Sequence, residues 1–90
     1  MNFNLPVSLI REREQVVAYT PALDISTVGR NEEEVKTRFA ELVNMFFADI
    51  VETGSIDQVL SELGWQKISG AWNPPLVSNE EINVSVPVFA

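Results

Sequence analysis

The side chains of this chain that could do chemistry are its carboxylates, because the sequence contains neither Cys nor His. Nucleophilic triads, thiol chemistry and histidine-ligated metals are therefore excluded or would need unusual substitutes. Carboxylates support nuclease-type hydrolysis when several of them converge on two magnesium ions. Glu12, Asp24 and Asp49 are the best-placed candidates, but the opening stretch, residues 3–10, contains no acid. We therefore expect no catalytic residue, no metal site and no enzyme.

Cofactor binding is not indicated by the glycines. Gly29, Gly54, Gly64 and Gly70 stand singly, so the chain has no glycine-rich loop of the kind that cradles phosphate groups. Each glycine is better explained as a turn or as the end of a helix. We expect no cofactor.

The element that must organise the fold is a long amphipathic helix over residues 31–53. Asn31 is a favoured N-cap, and Glu34, three residues later, can reach back to complete a capping box. Gly54 ends the helix. Apolar residues recur at helical spacing, which predicts one buried face: they are Val35, Phe39, Leu42, Val43, Phe46, Phe47, Ile50 and Val51.

Three short strands are predicted before this helix, over residues 3–10, 15–20 and 23–28. The first alternates apolar and polar residues, and the second is rich in β-branched and aromatic residues. Pro6 lacks an N–H and places its strand at a sheet edge or a bulge. We expect an antiparallel three-stranded meander covered by the long helix, an α+β arrangement in a single domain over residues 1–90.

Two further elements are predicted after Gly54. Residues 55–63 form a short helix, with Ser55 and Gln58 as a capping box and Gly64 as its left-handed stop. Residues 65–72 suggest a small hairpin around a Ser-Gly turn.

The last segment, residues 81–90, predicts a closing strand. Its Pro87 points to an edge position, and a strand that ends a chain can complete its own sheet or a neighbour's. The apolar face of this strand comprises Ile82, Val84, Val86 and Val88.

The apolar stripe of the long helix widens in its second half, where Val43, Phe47 and Val51 form a flank. A sheet covers only one helix face, so this flank needs a second cover, which is either the short helix or another subunit. Trp65 and Trp72 either cover the core edge or contact a partner, since Trp is enriched at interfaces. We expect a homo-oligomer. The predicted partner or subunit interface comprises Val43, Phe47, Val51, Trp65, Trp72, Val84 and Val86.

The charge balance bears on partners. Six basic and thirteen acidic residues give a net charge of −7, which repels phosphate backbones and argues against direct nucleic-acid binding. A basic protein partner would be favoured electrostatically, although the acidity can equally serve solubility alone. The chain has no apolar run long enough to cross a bilayer and no leader pattern. We expect no membrane association and a cytoplasmic location, which the lack of Cys fits.

The order of these features resembles the HicB-like family, the antitoxins of type II toxin–antitoxin pairs, which have a truncated RNase H-like fold. Two departures matter. Asp24 and Ile25 replace the usual small-residue and Cys pair, and no room is left for the C-terminal DNA-binding domain that members usually carry. The matching residues are Val17, Ala18, Tyr19, Pro21, Leu23, Gly29, Asn31, Glu33 and Glu34.

The resemblance implies a non-enzymatic protein-interaction module that binds and masks a small basic toxin, without binding an operator. The alternative is a free-standing HicB-like domain that binds a small molecule or is an inactive remnant of a hydrolase. A neighbouring gene for a short basic protein would favour the first hypothesis.

Overall fold

The computed structural model describes residues 4–88 and has the predicted α+β architecture. One antiparallel sheet has the strand order β1-β2-β3 and is followed by a long helix, a short helix and a two-stranded sheet. In chain order the elements are β1 (Ser8–Arg11), β2 (Val16–Thr20), β3 (Ile25–Gly29), α1 (Glu32–Glu52), α2 (Ile56–Glu62), β4 (Gln66–Ile68) and β5 (Ala71–Asn73).

The three-stranded sheet buries one face against α1. In the central strand, Val16, Ala18 and Thr20 are buried, whereas Val17 and Tyr19 are only half-buried on the opposite face. Helix α1 contacts mainly β3 and β2. The predicted meander with one helix across it is therefore confirmed, and no helix of residues 4–88 lies over the second face of the sheet.

The first strand is shorter than predicted. It begins at Ser8, which pairs with Tyr19, and residues 4–7 lie outside it. Phe3 lies outside the described residues. The register would place Val7 opposite Thr20, the last residue of β2, so residues before Val7 have no strand residue opposite them. Pro6 in addition cannot donate to a ladder. The third strand likewise starts late, at Ile25, because Asp24 has φ 53° and belongs to the turn.

The start of α1 was predicted well. Asn31 is the N-cap, and its Oδ1 accepts a hydrogen bond from the Glu34 backbone N–H at 2.8 Å. Glu34 reaches back further than a capping box requires, because its carboxylate accepts from the Arg30 backbone N–H at 3.1 Å instead of the Asn31 N–H. The side chain of Arg30 donates to the same carboxylate, which explains the shift.

The passage from β3 into α1 depends on Gly29. This buried glycine lies so close to the helix that a Cβ atom built on it would come within 2.7 Å of the Val35 backbone nitrogen. Such a distance requires the backbone to move. The close approach of strand and helix therefore requires a residue without a side chain at position 29.

Helix α2 docks on the second half of α1. Its Leu60 is fully buried in a cluster with Leu23 and Ile50. Gly64 has φ 89°, as a left-handed helix stop requires. The predicted capping box is wrong, because the Ser55 side chain makes no capping bond and its hydroxyl lies 2.7 Å from that of Thr53.

The hairpin after α2 is confirmed. β4 and β5 pair directly across Ser69 and Gly70, which both have positive φ (51° and 80°), as a tight hairpin turn requires. The predicted closing strand over residues 81–90 is not formed within its described part, residues 81–88, where every residue is exposed. A strand needs a neighbour to hydrogen-bond with, and this segment has none within the described chain.

Candidate functional site

The flank of α1 is divided between core and solvent. Val43 and Phe47 are half-buried and pack against the core, whereas Val51 is 57% exposed. The Phe47 ring meets the Trp65 ring edge-on at a centroid distance of 6.1 Å. Helix α2 and Trp65, which comes shortly after it, therefore cover Phe47. Val51 is the part of the flank that stays exposed to a partner.

Trp65 lies inside the molecule. It is 3% exposed, and its indole Nε1 donates to the backbone carbonyl of Ala22 at 2.7 Å. This bond ties the start of the hairpin to the β2–β3 turn, where the Thr20 hydroxyl also accepts from the Ala22 N–H. In this structure Trp65 holds a turn in place.

Trp72 is half-buried at the edge of the same core, and the Lys67 ammonium group lies 5.7 Å from its ring centroid. Lys67 also lies 3.8 Å from the carboxylate of Asp57. Of the two tryptophans, Trp72 is the one that a partner could reach. Its interface role stays a prediction.

The C-terminal arm, which we define as residues 76–88, carries the most exposed apolar side chains. Val84 and Val86 are 67% and 69% exposed, and they alternate with polar residues. Leu76, Ile82 and Val88 are more exposed still. The structure therefore presents the two predicted interface valines on a segment that lies away from the core.

A further apolar surface was not found by sequence reasoning. On the helix-free face of the sheet, Ile10, Val17 and Val28 are direct cross-strand neighbours. Ile10 and Val28 are 49% and 39% exposed. The signal in the sequence was the run Val16 to Tyr19, which is apolar at every position and so implies two apolar faces.

Charge is concentrated at the start of α1. The carboxylate oxygens of Glu32 lie 2.7 Å from a guanidinium nitrogen of Arg11 and 3.0 Å from the ammonium nitrogen of Lys36. Those of Glu34 lie 2.8 Å and 3.4 Å from guanidinium nitrogens of Arg30 and Arg38. These four cations are therefore held by carboxylates of their own chain. Next to them, Glu33 and Glu41 are exposed along an open depression that is also lined by Thr37 and by the paired side chains of Glu34 and Arg38.

The ion pairs change the acidity of their members. Hydrogen bonds from Lys36 and then Arg11 hold the pKa of Glu32 below its usual value, and hydrogen bonds from Arg30 do the same for the pKa of Glu34. On the sheet, partial desolvation raises the pKa of Tyr19, helped by the hydrogen bond that its hydroxyl donates to Asp24. Because their pKa values are lowered, Glu32 and Glu34 both stay charged at neutral pH.

The three carboxylates considered for metal chemistry lie in different places. Glu12 is in the β1–β2 turn and accepts from Gln15, Asp24 is in the β2–β3 turn and accepts from Tyr19, and Asp49 is on α1. Within residues 4–88 no three acidic side chains are grouped as a metal ion would require.

No helix in the described part of the chain has both the length and the apolar character needed to span a membrane. Comparison of the chain with protein-family models, with curated proteins and with solved structures gives no match. The HicB-like resemblance therefore rests on the sequence features alone.

Proposed function

We propose that this protein is a non-enzymatic interaction module of the HicB antitoxin type, which binds and masks a small basic toxin in the cytoplasm. The observation that carries the proposal is the charge of the open depression on the first half of α1, whose charged lining is Glu33, Glu34, Glu41 and Arg38. Arg38 is itself paired with Glu34, so the charge left for a partner is that of the Glu33 and Glu41 carboxylates.

The partner-binding face is assigned to the exposed side of the first half of α1. Glu33 and Glu41 lie two turns apart on this side, beside Thr37. A basic surface approaching them would be steered over a distance comparable with the Debye length, about 8 Å at physiological salt. Association with the toxin should then be fast and sensitive to salt.

The test is affinity capture of the tagged protein from its native cells, followed by mass spectrometry. We expect a small basic protein to return in stoichiometric amounts and to elute at raised salt. The double variant Glu33→Lys/Glu41→Lys should lose it.

The matched control is Glu52→Lys/Glu62→Lys, which changes the net charge equally but at the far ends of α1 and α2, and should retain the partner. Return of the tagged chain alone would contradict the toxin-binding proposal and favour a free-standing HicB-like domain. Equal loss in both variants would show that net charge matters and the assigned face does not.

A further inference from the structure

We propose that the C-terminal arm of one chain adds as a strand to the β1 edge of a second copy, and that the second copy returns its own arm in the same way. The proposal is independent of the toxin partner. It concerns residues 76–88 and the outer edge of β1, which are not paired with each other in the described part of the single chain.

The chain exposes more surface than a compact monomer of its mass. A folded monomer of 10.1 kDa is expected to expose about 5,300 Å². This chain exposes 7100 Å², an excess of roughly 1,800 Å² over that scale. Its Cα radius of gyration is 16.2 Å, against about 12 Å for a compact chain of this length. The excess exposed surface lies in the C-terminal arm, where every described residue is exposed.

The excess exposed surface matches the area that a homodimer interface buries. If each copy buries its excess against the other, the contact removes about 3,600 Å² in total, within the range of about 2,000–5,000 Å² typical of obligate homodimers. The arm and the edge are both present on every copy, so one reciprocal exchange satisfies both, as a two-fold symmetric contact requires.

The arm has a regular sequence pattern. Its apolar residues Ile82, Val84 and Val86 recur at every second position, with Asn83 and Ser85 between them. This period is that of a strand with one apolar face. The arm therefore has the sequence of a strand and lacks only a sheet edge to join.

Of the two sheet edges, that of β1 is the one open to an added strand. The sheet has two edge strands, β1 and β3. On β3, the carbonyl of Val28 already accepts a hydrogen bond from the Arg38 guanidinium of α1 at 3.0 Å. α1 also packs mainly over β3 and β2. In β1 every second residue directs its N–H and C=O away from β2, which leaves that edge open to a fourth strand.

Charge sets the direction of the added strand. Glu80 and Glu81 precede the apolar part of the arm. Arg11, which is paired with Glu32, ends β1, and Arg13 follows it in the turn, where it has no ion pair with the described residues. An antiparallel arrangement brings these opposite charges to the same end of the contact, whereas a parallel one would separate them. The fourth strand is therefore antiparallel to β1.

The test is the mass of the full chain by light scattering over a micromolar dilution series, together with hydrogen exchange. We expect a dimer of twice 10.1 kDa, with slowed exchange in both the arm and β1. The variant Val84→Lys/Val86→Lys should weaken dimerisation on the order of a hundredfold or more, since two valines lose their apolar contact.

The matched control is Asn83→Lys/Ser85→Lys, which adds the same charge on the other face of the arm and should leave the dimer intact. The arm lies outside both core clusters, so far-UV circular dichroism should show all variants folded. A monomer, a dimer whose arm exchanges like unfolded chain, or equal effects of the two lysine pairs would each overturn the proposal.

Discussion

Trp65 shows how one side chain can join distant parts of this fold. It is separated from Ala22 by 43 positions in the sequence, yet its indole N–H donates to the Ala22 carbonyl in the buried core. The bond fixes the β2–β3 turn against the start of the hairpin. A buried carbonyl that loses its donor is costly, so this contact should be visible in the stability of the protein.

The variant Trp65→Phe keeps an aromatic ring but removes the donor. We expect a loss of about 1–3 kcal/mol in the free energy of unfolding, and about 3–5 kcal/mol for Trp65→Ala, which also leaves a cavity. Urea denaturation measures both. Trp72→Phe is the control and should lose less, because its ring is only half-buried. Equal losses at the two tryptophans would contradict the role given to the Ala22 contact.

Gly29 provides a second prediction about a single residue. An added methyl group would meet the Val35 backbone, which cannot move without displacing the first turn of α1. Gly29→Ala should therefore cost about 1–3 kcal/mol in unfolding free energy. Ser26→Ala, at an exposed position of the same strand, should change it by less than about 0.5 kcal/mol. An unchanged stability of Gly29→Ala would show that the strand and helix are not in close contact there.

At the scale of elements, the start of α1 combines a cap, three acidic residues and a set of ion pairs. Asn31 and Glu34 accept hydrogen bonds from backbone N–H groups. Glu32 and Glu34 lie at the positive end of the helix dipole and pair with four cations. Such exposed pairs contribute little one by one. As a group they set how the helix responds to pH.

The pH dependence follows from the lowered pKa values of Glu32 and Glu34. A carboxylate with a lower pKa in the folded state than in the unfolded state stabilises the fold above its unfolded pKa, about 4.3. That stabilisation is lost as the pH falls through the lowered value. We expect the Tm to drop in this acidic window and to drop less in Glu34→Gln.

Thermal unfolding followed by circular dichroism from neutral pH into this window makes the measurement. Glu52→Gln, at the other end of α1, is the control and should keep the acid sensitivity of the original protein. If Glu34→Gln shows the same decrease in Tm as the control, the ion pairs at the helix start do not contribute to the pH dependence.

Elements whose signals are local were predictable from sequence. The helix from Asn31, the Gly64 stop and the Ser69-Gly70 turn all follow from residues within a few positions of each other. Contacts that depend on tertiary structure were not: the Ala22 partner of Trp65 and the exposed row of Ile10, Val17 and Val28. The closing strand was predicted from alternation alone, which specifies an apolar face and does not supply a neighbouring strand.

At the scale of the whole molecule, three features lie outside the core: an acidic depression on the first half of α1, an uncovered sheet face and an extended apolar arm. The first is suited to a basic protein, and the last to a second copy of the chain. Within the described residues, no group of acidic side chains that could hold a metal ion accompanies them. We propose that the molecule works by binding other protein chains.

Native mass spectrometry of the protein purified from its own cells tests this account most directly, because one spectrum reports both copy number and partner. We predict a complex containing two copies, or an even multiple, of the 10.1 kDa chain together with a small basic protein that is lost when salt is raised. A spectrum of single 10.1 kDa chains without any partner would contradict it.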